Sequence, residues 1–209
     1  MKKIVLSIVL IVVLSCNSNR NSGRFISETD TTYSEDVRAI SAKINAKPDD
    51  AELYYKRGNT FYYEKRFNDA VLDFEFAITL NPKQPLYHFR CAETLISMDS
   101  TNSEKTKLHL TKTLELKPDY YAAASLLAKY HLARQQYPEA IKLYTGLLDQ
   151  PEFADPAFVM LSIAHKEQKD TLKAEAIIDQ ALTVNPENFD AVMQKVLILN
   201  HRNDPLVLT

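Results

Sequence analysis

"LYYKRGNTFYYEKRFNDAV", residues 53–71, sets two tyrosine pairs on either side of Gly58, one of only three glycines in 209 residues. Inside a helical pattern a glycine costs roughly 1 kcal/mol relative to alanine, so packing, not propensity, must place it there. Tyr54 and Phe61 are seven residues apart and share one helix face. Tyr55 and Tyr62 share the next face, turned by about 100°. Downstream, Phe67, Ala70, Val71, Phe74, Ala77 and Ile78 follow the i, i+3, i+4, i+7 spacing of an amphipathic helix. Two helices approach closely only where a side chain is missing, so Gly58 and Ala70 are expected to form the contact while the rings fill the adjoining grooves.

The pattern recurs. Tyr137, Ala140, Ile141, Tyr144, Leu147 and Leu148 repeat the spacing of residues 67–78, and Pro48, Pro82, Pro118 and Pro186 are separated by 34, 36 and 68 residues. Pro85, Pro138 and Pro156 are expected in first turns, where a missing N–H costs little. Asn81-Pro82 and Asn185-Pro186 are expected as stops, with asparagine in the left-handed closing conformation. Asp49, Asp50 and Asp155 are expected as N-terminal caps. Helices of about fourteen residues joined by two to six form antiparallel pairs.

Tyr54, Gly58, Phe61, Ala70, Phe74, Ala77 and Pro82 stand in the order of a known signature, with Arg57 where leucine is usual. Fainter echoes are Ala92, Leu95, Leu110 and Pro118, then Leu127, Ala128, Ala140 and Tyr144, then Leu161, Ala174, Ala181 and Pro186. The chain resembles the tetratricopeptide repeat. That resemblance implies an all-α, right-handed superhelix (α-solenoid) of about four antiparallel helix pairs, at 51–84, 85–120, 121–154 and 155–188. Single helices at 34–46 and 189–201 would flank them within a domain of residues 34–203, followed by a tail at 204–209.

The resemblance also implies a peptide-binding inner wall lined by the first helix of each pair. By position it would carry Tyr55, Asn59 and Tyr62, then Phe89, Glu93 and Ile96, then Ser125, Lys129 and Leu132, and finally Val159, Ile163 and Lys166. Tyrosine suits such a surface, offering large area and a polar tip at low entropic cost. The subset of the family that clamps chaperone C-termini needs basic residues where Tyr55, Ala122 and Leu126 stand, and only Asn59 matches it.

Met1-Lys2-Lys3, an apolar run Ile4 to Leu14 broken only by Ser7, and Ser15-Cys16 have the proportions of an export signal. The arrangement resembles a bacterial lipoprotein signal, with residues 1–15 removed and Cys16 acylated. The alternative is an ordinary cleaved signal in which Cys16 is incidental. Residues 16–33 would be an acylated cysteine and a polar tether, with Phe25 and Ile26 the only large apolar residues between Asn17 and Thr32. Cys91, among apolar and small neighbours, is expected to be a buried, inert thiol.

A formal charge of −2 and a pI near 6.2 argue against nucleic acid as a partner. Three glycines cannot build a phosphate-cradling loop, and no HExxH, paired CxxC or GxSxG string occurs. His131 and His165 are 34 residues apart, at the place Phe61 fills in the first unit, so they are expected as core-edge rings rather than metal ligands. No cofactor or metal is expected.

The expected function is therefore non-catalytic: a lipid-anchored module on a bacterial cell membrane or outer membrane, facing periplasm or exterior, holding a protein or peptide of an envelope assembly. The alternatives are a small-molecule-binding accessory protein and a structural spacer whose groove is filled by its own tether. Val196-Leu197-Ile198-Leu199 is apolar around most of its helix, which points to cover by the Leu206-Val207-Leu208 tail or by a second copy in a homodimer.

Overall fold

The computed structural model describes residues 26, 27, 29–98 and 103–201. The expected signal, Cys16, the start of the tether and the tail at 204–209 lie outside them. Among the described residues the protein is all-α, with ten helices and no strand. One compact unit, ending at Pro82, holds α1 (Glu35–Ala46), α2 (Ala51–Tyr63) and α3 (Phe67–Leu80). A second, beginning at Lys83, holds α4 (Pro85–Ser97), α5 (Glu104–Leu116), α6 (Tyr121–Ala133), α7 (Tyr137–Thr145), α8 (Pro151–Glu167), α9 (Thr171–Val184) and α10 (Phe189–His201).

Each helix packs on its neighbour in sequence: α1 on α2 and α2 on α3 in the first unit, and α4 through α10 in order in the second. Within a pair, one large side chain of the second helix covers one small residue of the first. A Cβ added to Gly58 would lie 2.8 Å from Cε1 of Phe74, which is fully buried. At the equivalent places Ala92 shares a cluster with Leu110, and Ala128 shares one with Tyr144 and Ile178. In the fourth pair Ser162 Oγ donates to the Ala174 carbonyl at 2.9 Å, so that small side chain also touches the partner helix directly. The opening glycine is thus a seat for the Phe74 ring, with Ala70 buried nearby.

The turns inside the pairs share one construction. Lys65, Gln135 and Lys169 have φ of 60°, 59° and 67°, and these left-handed residues close the first helix. Arg66 N–H bonds to Phe61 O at 2.8 Å and Lys65 N–H to Tyr62 O at 3.0 Å. Gln136 to His131 and Asp170 to His165 repeat the long bond, giving a Schellman closure each time.

The turns between pairs differ from expectation. Asn81 and Asn185 are not left-handed: they sit at φ −139° and −135°, each donating its N–H to the last turn at 2.8 Å. Lys47 and Lys117 behave alike at φ −140° and −144°. All four precede proline, whose ring pushes the residue before it into extended backbone.

Two boundaries also shift. α7 spans nine residues and gives way at Gly146 to three-residue turns, whereas the apolar spacing carried it to Leu148. α8 then starts at Pro151, which places Pro156 inside the helix rather than in its first turn. Asp155 consequently caps nothing and accepts from Asn185 Nδ2 at 2.6 Å, while Asp50 does cap α2 through Glu52 N–H at 3.1 Å.

Gly58→Ala is expected to destabilise by about 1–3 kcal/mol, because its methyl overlaps the Phe74 ring. Adding Phe74→Leu should recover part of that loss in urea unfolding. Additive losses would place the contact elsewhere.

Candidate peptide-binding face

In the first unit Tyr55, Asn59 and Tyr62 lie on one flank of α2, each partly exposed. Tyr55 leans on Phe74 with ring centroids 6.0 Å apart, and Tyr62 on Phe67 at 5.6 Å and Tyr63 at 5.7 Å. These contacts help to fix the ring positions, and both rings remain partly exposed.

The described part of the expected tether is not bare chain. Ile26 is buried, Asp30 closes a turn onto Thr32, and Tyr33 sits 6.0 Å from Phe61 with the Arg66 guanidinium 4.3 Å above it. Tyr33 therefore docks at the turn of the first pair, beside Phe61. Counting apolar residues up to Thr32 missed this, because the anchoring ring comes one residue later.

In the second unit Phe89, Glu93 and Ile96 on α4, Ser125 and Leu132 on α6, and Ile163 and Lys166 on α8 are partly exposed, and Lys129 is exposed. Val159 is different. It is buried within the apolar cluster of the last repeats and cannot line an open face. Leu132 and Ile163 pack on that cluster with one side only. Aromatic pairs that the spacing did not flag stand beside these positions: Phe89 against Tyr120 at 4.7 Å, and Tyr121 against Phe153 at 6.3 Å. Glu93 is held by Arg90, and Lys166 lies 3.8 Å from Glu167, so Lys129 is the most accessible charge among the twelve expected positions.

A polar feature hidden in the sequence is the departure at Arg57. Its guanidinium is 1% exposed and grips buried Asp73 through two bonds, Nε to Oδ2 at 2.7 Å and Nη2 to Oδ1 at 2.8 Å. Nη1 donates to Ser41 Oγ of α1 at 3.0 Å, and Ser41 in turn donates to the Val37 carbonyl at 2.7 Å. The flanking helix is thus bonded to the first pair through the side chain that replaces leucine. One repeat later the same two places hold Cys91 and His109, both buried, with His109 Nδ1 3.2 Å from Nδ1 of buried His88. In the third and fourth repeats they hold Leu127 with Leu143 and Leu161 with Ile177, all in apolar clusters.

The two spaced histidines close the turns described above. His131 Nδ1 is 2.7 Å from Gln136 Oε1, across the Schellman motif where Arg66 covers Phe61 at 5.0 Å. His165 is 5% exposed, and its Nδ1 has no hydrogen-bond partner among the described residues. Burial, then the charge of Lys173, lower its pKa, while Asp170 acts the other way. Burial also raises the Tyr144 hydroxyl well above its usual value.

Two outcomes follow. Arg57→Leu alone should cost about 3–5 kcal/mol by stranding Asp73, whereas Arg57→Leu with Asp73→Leu, the pairing of the later repeats, should return to within about 1 kcal/mol of the parent or exceed it. For His165, whose folded pKa lies below the unfolded value, stability is full above about pH 6.5 and falls as pH drops toward the folded pKa. His165→Phe should therefore lose less of its melting temperature than the parent between about pH 7.5 and about pH 5.5.

Comparison with known proteins agrees with this geometry. The tetratricopeptide-repeat family matches residues 51–84, 108–155 and 155–188, together more than half of the chain. Lipopolysaccharide assembly protein B of Haemophilus influenzae is 33% identical over 85 residues, 38% of this chain and 22% of that protein. The Hsp70-Hsp90 organising protein of Plasmodium falciparum is 26% identical over 128 residues, 59% of this chain and 22% of that protein. The chain thus spans about a fifth of each curated relative. Among solved structures it is similar in fold to YrrB, described as a TPR protein with an unusual peptide-binding site, at TM-score 0.68 and 12% identity over 81% of this chain and 86% of that one. It is also similar to MamA, at TM-score 0.64 and 18% identity over 70% of this chain and 79% of that one, and to Pseudomonas aeruginosa pilF, at TM-score 0.60 and 13% identity over 75% and 72%. The paired helices, the small-under-large packing and these matches make the chain a member of the tetratricopeptide-repeat family.

Proposed function

We propose that this protein is a non-catalytic interaction module that holds a polypeptide segment of a cell-envelope assembly along the flanks of its first helices. The observation that carries the reading is the recurrence, at equivalent places of α2, α4, α6 and α8, of partly exposed aromatic, aliphatic and amide or charged side chains. Such a mixture suits a peptide whose side chains alternate between apolar and polar contacts. The fold likeness to YrrB supports peptide binding, and the match to lipopolysaccharide assembly protein B supports an envelope setting. Absence of the basic positions noted above separates this reading from carboxylate clamping, although the Hsp70-Hsp90 organising protein is among the relatives.

Anchoring belongs to the same proposal. None of the described helices is long and apolar enough to cross a membrane. Attachment would instead rest on acyl chains at Cys16, two or more of which hold a protein where one does not. The protein would then face the periplasm or the exterior, and a second copy would meet it through α10.

Photo-crosslinking from a residue placed at Lys129 in the native host, with identification of the adducts, tests the groove. Lys129→Glu is expected to reduce recovery of the partner at least about tenfold without a change in melting, since the residue is exposed. Equal recovery would remove the groove assignment. Cys16→Ala should separately release the protein from the membrane fraction, and retention there would remove the anchor.

A further inference from the structure

α4 carries His88 and Cys91 three residues apart, on one face of the helix, and α5 carries His109. Cys91 has no exposed surface, and the imidazoles of His88 and His109 keep 6% and 8% of theirs. His88 Nδ1 lies 3.2 Å from His109 Nδ1, so one ring donates and the other accepts. Cys91 Sγ and a ring nitrogen of His109 lie within 4.8 Å of each other.

In the other pairs the two places held by Cys91 and His109 are filled by an ion pair, Arg57 with Asp73, or by hydrocarbon. Thiol and imidazole are neither. Both become metal ligands once the thiol has lost its proton, and here they come from two helices packed on one another. An ion with bonds of about 2.3 Å to sulfur and about 2.0 Å to nitrogen bridges donors up to about 4.3 Å apart. At most about half an ångström of movement therefore closes the two side chains on one ion.

We infer that Cys91 and His109 hold one copper(I) ion between α4 and α5, with His88 positioning the His109 ring through the Nδ1 contact. Thiolate selects zinc, copper(I) or iron–sulfur clusters, and imidazole suits zinc and copper, so the pair of donors narrows the choice to two ions. Zinc is held by four ligands in a closed protein site, and its double charge on a single thiolate leaves a net positive charge. Copper(I) on a thiolate sums to zero, as Arg57 with Asp73 does, and a buried place penalises net charge heavily. The thiol proton leaves to solvent as the ion binds. His88 acts on the ion only through His109, because a ligating imidazole is oriented by the partner on its other nitrogen. The inference goes beyond the peptide-binding reading and does not depend on it.

The test uses the full chain in mild detergent with Cys16→Ser, leaving Cys91 as the remaining thiol. Copper(I) is supplied without oxygen in competition with a chromophoric chelator. Each sample is loaded both as native protein and by refolding from urea, so that slow entry to buried Cys91 is not mistaken for a missing site. One ion per chain is expected, with sulfur and nitrogen neighbours in X-ray absorption and a raised melting temperature, since the ion binds the folded pair. Cys91→Ala and the nearly isosteric Cys91→Ser should each abolish the bound ion and the melting shift at unchanged helical content. His88→Phe should weaken binding about 10–100-fold, and His88→Asn, which keeps a hydrogen-bonding group near the Nδ1 place, should restore most of it. Copper retained in both Cys91 variants overturns the inference, as does no bound copper after either loading. Zinc held as tightly as copper(I) overturns the choice of ion, and equal losses in His88→Asn and His88→Phe overturn the positioning role. Lys129→Glu should bind copper as the parent does, which keeps this result separate from the fate of the peptide-binding reading.

Discussion

The structure depends on one close approach repeated four times: a large buried side chain of a second helix seated where the first helix has little or none of its own. Phe74 needs Gly58, Leu110 shares a cluster with Ala92 and Tyr144 with Ala128, and Ser162 bonds the Ala174 carbonyl of its partner helix. Protein interiors tolerate neither voids nor overlap, so the sum of the two volumes is constrained more tightly than either residue. Gly58 leaves room for the Phe74 ring, and Ser162 keeps its hydroxyl by donating a hydrogen bond to the facing Ala174 carbonyl at 2.9 Å. The pair is too thin to bury its own faces, and within each unit every helix packs on its neighbour in sequence.

A second theme runs along the chain. The place next to the small residue changes from an ion pair, Arg57 with Asp73, through Cys91 with His109, to leucine and isoleucine. The ionic version supplies no more stability than a well-packed apolar pair, because desolvating both charges offsets their attraction. What it adds is direction: Arg57 has donors left over after Asp73 is satisfied, and one reaches Ser41, fixing α1 against the first pair. Leucine in the same place could fill space but could not specify which residue of α1 lies above it.

Function in such a protein resides in what the helices leave uncovered. In the second unit Leu132 and Ile163 pack on the apolar cluster and remain partly exposed. At α10, Phe189, Met193 and Leu197 stay exposed while Ala191 and Ile198 join that cluster.

The sequence alone was enough for the helices, their pairing and their order, because those follow from spacing: apolar residues at helical period, prolines at repeat intervals, and a small residue at one place in each unit. It also put the twelve candidate positions at equivalent places of the repeats, since equivalence is a matter of counting. Tertiary structure decided what counting cannot reach. Arg57 reads as a blemish in the signature until Asp73, sixteen residues on, and Ser41, sixteen residues back, are seen beside it. Val159 reads as groove until the apolar cluster of the last repeats buries it, and Asn81 reads as a left-handed stop until the following proline has forced it extended. Period reports which way a side chain points. Only packing determines what it meets there, because contact depends on neighbours brought in from elsewhere in the chain.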